Sequence, residues 1–166
     1  MYFKCYTDGS FGDPGETHGG LVFYKDNEVS SSLHVFSRLP DMTSMRNVGG
    51  EIIAAWCAIT SVVETVKREN EKGMEYHTLD LVYDYKGVGC WATGEWKTNK
   101  KATQWFVKSV REMLATVPNL KVNFIWVKGH GANEGNNLAD KIADYNMTYC
   151  KQKGIAVCCV DELIMK

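Results

Sequence analysis

Three short segments open the chain in the rhythm of β-strands. Tyr2 to Thr7 is aromatic and β-favouring and runs into Asp8-Gly9-Ser10, where glycine and a short polar residue end it. Beyond the turn-rich Gly12-Asp13-Pro14-Gly15, the segments Gly20 to Tyr24 and Glu28 to Phe36 read as two more strands, joined by a Lys25-Asp26-Asn27 turn. From Gly50 the period changes. Ile52, Trp56, Ile59, Val63 and Val66 follow the i, i+3, i+4 spacing of an amphipathic helix that ends near the polar stretch Lys67 to Gly73 and carries Glu51 in its first turn.

Thr78 to Tyr83 alternates again as a strand and stops at Asp84, after which Gly87, Gly89 and Gly94 punctuate a loop-rich segment. Thr98 or Asn99 then caps a helix marked by Ala102, Trp105, Phe106, Val110, Met113 and Leu114, with Pro118 just beyond. Lys121 to Val127 is a buried strand. The Gly/Asn-rich loop Lys128 to Asn137 leads into a helix from about Leu138 to Lys151, and Gly154 to Lys166 adds a short strand or helix. The order β-β-β-α-β-α-β-α, hairpins first and crossovers later, predicts an α/β (mixed α+β) fold: a mixed sheet with helices on both faces.

Composition narrows this without changing it. With 166 residues, 45% hydrophobic, 23% charged and only 3 Pro, the chain suits one globular domain and excludes a disordered or collagenous one. No apolar run approaches the roughly 18 residues of a membrane span, and Met1-Tyr2-Phe3-Lys4-Cys5 lacks a basic region followed by an apolar one. A soluble, cytoplasmic protein with no membrane partner is expected. The six cysteines carry no Cys-x-x-Cys and no mark of secretion, so free thiols rather than disulfides or a zinc frame are expected. The net charge of −1 offers no general attraction for nucleic acid.

Four acids lie where this layout brings chain ends together: Asp8 and Asp84 at strand ends, Glu51 in a helix's first turn, and Asp140 in the helix after the Gly/Asn loop. Ionised carboxylates packed together repel by roughly 4 kcal/mol per pair at 4 Å with an effective dielectric near 20, so a shared site of four requires a multivalent cation. All-oxygen ligands select Mg²⁺ or Mn²⁺ over Zn²⁺. Spacing alone does not make them converge, because with 20 acids in the chain scattered surface carboxylates are the ordinary case.

The text around each acid changes that. Tyr6-Thr7-Asp8-Gly9-Ser10, Asn47-Val48-Gly49-Gly50-Glu51, Tyr83-Asp84-Tyr85 and Trp126-Val127-Lys128-Gly129-His130, followed by Gly135-Asn136 and Ala139-Asp140, together resemble ribonuclease H type 1 from Tyr2 to about Tyr149. The resemblance implies a ribonuclease H-like fold, a five-stranded mixed sheet with flanking helices, in which the strand ending in Asp8 lies centrally beside the strand ending in Asp84. It implies a monomeric endonuclease that cuts the RNA strand of RNA/DNA hybrids with two Mg²⁺ ions, Mn²⁺ substituting, and leaves 5′-phosphate and 3′-hydroxyl ends. By the same resemblance Asp8 bridges the metals, Glu51 and Asp84 complete the water-activating side, Asp140 serves the other, and His130 is the flexible-loop histidine. An imidazole there, between Gly129 and Gly131, can pass a proton or help product leave. Residues 1–152 form the catalytic domain on this reading, and 153–166 a tail packed on it.

The chain departs from the family pattern in two ways. Trp91 to Lys101 passes directly into a helix, which implies that the basic protrusion of some members is missing and that hybrid binding is weaker. The chain also opens on the first catalytic strand, so no N-terminal hybrid-binding module is expected. For substrate, Asn47 matches a family position that contacts the sugar-phosphate backbone, and Arg46 stands beside it as a candidate DNA-phosphate contact. Glu95 to Glu112 carries Lys97, Lys100, Lys101, Lys108 and Arg111 against two acids, and Trp91 and Trp96 with Lys97 and Lys100 combine stacking surface with phosphate-seeking charge. Lys108 and Arg111 read instead as a solvated helix face, and Trp56, Trp105 and Phe106 as core. Two rival readings are a non-catalytic nucleic-acid-binding module and a related superfamily nuclease acting on DNA. Intact acids disfavour the first, and the Gly129-His130 loop disfavours the second.

Overall fold

The computed structural model describes residues 1–12, 15–129 and 131–166. In chain order its elements are β1 (Tyr2–Gly12), β2 (Glu16–Lys25), β3 (Glu28–Ser37), α1 (Pro40–Thr43), α2 (Asn47–Asn70), β4 (His77–Tyr83), α3 (Gly87–Ala92), α4 (Lys101–Ala115), β5 (Leu120–Trp126), α5 (Glu134–Ala143), α6 (Thr148–Lys153), β6 (Ala156–Cys159) and α7 (Asp161–Met165). The strands form one mixed sheet in the order β5-β4-β1-β2-β3-β6. β1 pairs antiparallel with β2 and parallel with β4, and β2 returns antiparallel on β3. The β2–β3 turn places Asp26 (φ 52°) and Asn27 (φ 66°) in the left-handed region, as a two-residue hairpin of type I′ requires.

Alternation along the strands serves two cores. Cys5, Leu21, Val35, Leu79 and Leu81 face α2 and α4, where Ile52, Ile53, Ile59 and Phe106 complete a dry layer. Tyr6, Val22 and Val82 face the other way, against Ala139 and Ile142 of α5 and Cys150 of α6. Trp56 and Phe106 are buried, and Trp105 packs on Trp56 with ring centroids 5.1 Å apart. With a mean hydropathy of 1.3 over its most apolar stretch, α2 would suit a membrane by composition, yet 72% of that stretch is buried in the molecule.

Four expectations are corrected. The sheet has six strands rather than five, because Ala156–Cys159 of the tail pairs parallel with the free edge of β3. α2 starts at Asn47, not Gly50. Each glycine in a helix costs about 1 kcal/mol relative to alanine, so Gly49-Gly50 reads as a boundary, but here Gly50 lies against Gly9 of β1 and tight packing overrides the propensity. The single helix expected from Leu138 to Lys151 is two, α5 and α6, broken where Asp144 turns the chain by accepting Asn146 N–H on its side chain at 2.8 Å and Met147 N–H on its carbonyl at 2.9 Å. Finally, the loop-rich segment after Asp84 contains the short helix α3, and no helix intervenes between it and α4.

Candidate active site

The parallel pairing of β1 with β4 ends at Tyr6 and Val82. Two residues further along each strand come Asp8 and Asp84, so the same register that aligns the strands brings these carboxylates side by side where the sheet opens. Asp8 does not end its strand as expected. β1 continues to Gly12, paired with β2 alone, and Asp8 faces Gly20 within that ladder.

Glu51 reaches the same place from α2. With the helix starting at Asn47 it falls in the second turn rather than the first. Gly9 makes this possible: a Cβ there would collide with the Asn47 carbonyl oxygen and the Glu51 amide nitrogen, so only glycine lets α2 lie so close to β1. The Gly9 N–H donates to both acids, at 2.9 Å to Asp8 Oδ1 and 3.1 Å to Glu51 Oε1.

Carboxylate oxygens of Asp8, Glu51 and Asp84 all lie within 4.8 Å of one another. Asp8 and Glu51 are buried, at 4% and 3% exposure, and Asp84 is half-buried. Asp140, on an exposed position of α5, stands outside that trio but close enough to Asp8 to bear on its ionisation. Burial is the largest cause that pushes the Asp8 carboxyl far above the carboxylate range, followed by the charge of Glu51 and hydrogen bonding with Glu51 and Asp140. Glu51 is also raised, chiefly by burial, while its bonds with Asp8 and Gly9 N–H pull the other way. Without a cation, burial and mutual repulsion therefore favour protonation of the cluster.

The donor set fits a hard divalent cation. It is all oxygen, it is acidic beyond what its surroundings neutralise, and Glu51 Oε2 is buried with no hydrogen-bond partner among the described residues. Asp80, also on β4, is otherwise engaged, accepting from Tyr2 Oη at 2.7 Å and Asn123 Nδ2 at 2.8 Å.

Two contacts that sequence reasoning missed hold Asp84. The indole N–H of Trp126, a half-exposed side chain, donates to the Asp84 carbonyl at 2.9 Å, and Val127 N–H donates to Tyr83 O at 2.8 Å. The one available signal was the place of Trp126 at the head of the Trp126-Val127-Lys128-Gly129-His130 text; it closes β5, a strand only partly buried. The following loop passes Asp84 at Gly129, and His130 lies outside the described residues.

The substrate candidates flank the acids on two sides. Arg46 and Asn47 are exposed at the start of α2, one helical turn before Glu51. Arg46 has φ 55°, a left-handed value unusual for a side chain of its size, and its guanidinium lies 4.9 Å from the centroid of the Phe11 ring. On the other side, an aromatic ladder leads away from Asp84: Tyr85 to Trp91 at 5.8 Å between centroids, then Trp91 to Trp96 at 5.9 Å. Lys97 and Lys100 follow, both exposed. The acids thus lie between exposed flanks, whereas a cavity of about 810 Å³ lies at the far end of β1, between Met1–Lys4 and the β2–β3 turn.

A profile of RNase H matches residues 2–148. The chain belongs to the RNase H family. It is 29% identical over 154 residues to the ribonuclease H of Alcanivorax borkumensis, covering 89% of this chain and 93% of that one. Against the ribonuclease H of Parvibaculum lavamentivorans it is 32% identical over 151 residues, 87% of this chain and 91% of the relative. Among solved structures, RNase H1 of Halobacterium salinarum superposes with a TM-score of 0.59 at 20% identity, over 91% of this chain and 99% of that one. LC11-RNase H1, solved in complex with an RNA/DNA hybrid, gives 0.61 at 18% identity over the same shares. At those identities the structures establish the shared fold, ribonuclease H-like, here with a sixth strand. The resemblance drawn from the four motifs is met, and with it the enzyme class, ribonuclease H. The matched region ends at Thr148, so β6 and α7 lie beyond the family profile.

Proposed function

We propose that this chain is an endonuclease that hydrolyses the RNA strand of RNA/DNA hybrids with two divalent cations, Mg²⁺ in the first place and Mn²⁺ as a substitute, leaving 5′-phosphate and 3′-hydroxyl ends. The observation that carries this is the buried cluster Asp8–Glu51–Asp84, with its unpartnered Glu51 oxygen, in a chain of the RNase H family. A relative of the same fold is known in complex with an RNA/DNA hybrid, which supports the hybrid as substrate.

Asp8, Glu51, Asp84 and Asp140 would hold the cations. When bound, these supply charge stabilisation at the scissile phosphate and a water acidic enough to act as nucleophile. The chain's own residues do the rest. The Gly9 N–H orients both Asp8 and Glu51 by donating to one oxygen of each, while Glu51 Oε2 has no partner among the described residues. Trp126 holds the carbonyl of Asp84, and Val127 that of Tyr83 just before it. His130 takes or returns a proton as product leaves, an assisting role. Asn47 and Arg46 contact the sugar-phosphate backbone on the α2 side. Trp91, Trp96, Lys97 and Lys100 receive the DNA strand, stacking and charge together supplying affinity without sequence preference.

One assay tests this: cleavage of end-labelled hybrid, single-stranded RNA, double-stranded RNA and duplex DNA, each with Mg²⁺, Mn²⁺ or chelator. Cleavage of the hybrid's RNA strand alone, lost with chelator and with Asp8→Asn, is the expected result. Equal cutting of single-stranded RNA, or activity that survives Asp8→Asn, overturns it. Hybrid binding without cleavage in either metal points to a binding module, and preference for duplex DNA to another nuclease.

A further inference from the structure

One row of residues crosses the sheet on the face that α5 covers. Asp8 of β1 pairs with Gly20 of β2, and Gly20 pairs with His34 of β3. Residues directly opposite one another in a sheet share a face, so the three form a line under the helix. α5 meets that line at three points. Asp140, at the end nearest the acids, is close enough to Asp8 to raise its pKa. The helix backbone rests on Gly20, where a Cβ would come within 2.5 Å of the Ala139 carbonyl oxygen and 2.6 Å of the Ala143 nitrogen. The third point is His34, whose Nδ1 lies 2.6 Å from the carbonyl oxygen of Ile142.

The hydrogen positions follow from that last contact. A carbonyl only accepts, so His34 Nδ1 carries the hydrogen, and in the neutral ring Nε2 is left as an acceptor. His18 Nδ1 stands 2.8 Å from it and must donate. In the neutral ring this leaves His18 Nε2 an acceptor, so Glu16 Oε1, 3.4 Å from it, is not its hydrogen-bond partner and is held instead by Arg38 Nε at 2.5 Å. Both imidazoles are almost wholly buried, and burial is the foremost cause that lowers their pKa values, which favours the neutral rings this chain of bonds needs. The Cys150 thiol also reaches Ile142 O, at 3.4 Å, but as a weak donor.

Two buried imidazoles carry a desolvation cost that aliphatic side chains of like size avoid. What they provide in exchange is a donor of fixed direction, aimed at a carbonyl in the last turn of the helix that bears Asp140. We infer that His34, with its tautomer set by His18, is a positioning residue for Asp140: it pins α5 so that the carboxylate two residues before Ile142 meets Asp8. The inference rests on the reading of Asp140 as a metal ligand.

The test measures Mn²⁺ binding to substrate-free protein by calorimetry, alongside kcat, KM and thermal unfolding, in His34→Leu, His34→Asn, Asp140→Asn and His34→Leu/Asp140→Asn. Outer-shell partners of metal ligands typically change affinity by about 10- to 100-fold. His34→Leu should fall near the lower bound and reduce kcat with little change in KM. His34→Asn, whose amide nitrogen reaches the place of imidazole Nδ1, should recover most of the loss. In the Asp140→Asn background His34→Leu should add nothing to the metal-binding defect. Equal losses in His34→Leu and His34→Asn, or a loss that persists undiminished once Asp140 is replaced, or a lower Tm with unchanged metal binding, reduces His34 to packing and overturns the inference. If Asp140→Asn binds Mn²⁺ like the parent, the ligand reading falls first and this inference with it. Should His34→Leu not fold, His18→Phe carries the same test by removing the partner that sets the tautomer, and metal binding unchanged there overturns the inference too.

Discussion

Asp8 and Glu51 are buried acids whose folded pKa values stand above those of the unfolded chain, and the sign of that difference sets how stability responds to pH. Between the ordinary carboxylate range, about pH 4, and the raised values, the folded protein holds more protons than the unfolded one, so stability falls as pH rises through that window. Cation binding needs the ionised forms and expels those protons. The rise in Tm on adding Mg²⁺ should therefore be larger at about pH 8 than at about pH 6, while the metal-free Tm moves the opposite way. Asp8→Asn should raise the metal-free Tm at the higher pH, abolish the Mg²⁺ response, and cut turnover by more than the 10- to 100-fold typical of an outer-shell change. Calorimetric unfolding across this grid of pH and metal checks each sign. A Mg²⁺ effect independent of pH would mean that the carboxyls are already ionised in the metal-free protein.

At the scale of elements, two helices are pressed onto the central strands from opposite faces, α2 at Gly9 and α5 at Gly20. The acids converge because their backbones can approach so closely. Gly20→Ala puts a methyl into the α5 backbone, and overpacking of this kind costs typically 1–3 kcal/mol. The expected outcome is that loss in urea unfolding together with weaker metal binding, since Asp140 moves away with α5. Stability that drops while metal affinity holds would show that α5 shifts without carrying Asp140 along.

The same scale explains what could be read in advance. The strands of the first hairpin, the crossover order and the four acids were legible because their signals are local: alternation, turn residues such as Asp26-Asn27, and a short dense text around each acid. The start of α2 was not, because Gly49-Gly50 lowers helix propensity and only close packing on Met42, His18 and Gly9 reverses it. The break after α5 was hidden because Ala139, Ile142 and Cys150 keep an apolar face across a turn made by Asp144. β6 is four residues long, too short for a period to show. His34 gave no signal at all: its partners lie 16 and 108 residues away, one on the neighbouring β2 and one in the last turn of α5, and only the folded chain brings them together.

Across the whole molecule, the net charge of −1 averages over two unlike regions. Asp8, Glu51 and Asp84 gather where β1 and β4 part, with Asp140 nearby, and bound cations would neutralise them. Beyond the aromatic ladder that starts beside Asp84, the stretch Glu95 to Glu112 holds five basic residues against two acids. Attraction for a polyanion should therefore come from a few exposed cations rather than from a general field, and its salt dependence should be modest and assignable. Each phosphate contact adds about −0.9 to the slope of log K against log salt, so removing Lys97 and Lys100 together should flatten the slope for hybrid binding by about 2. Lys108 and Arg111, further along α4 and exposed, serve as the control, and alanine at those two positions should leave the slope unchanged. Asp8→Asn as the background allows binding to be followed without cutting. If all four substitutions act alike, the effect is the net charge of the molecule, and the surface beside the aromatic ladder has no special claim on the DNA strand. If only the first pair acts, the hybrid lies across the acids between Arg46 on one flank and Lys97 and Lys100 on the other.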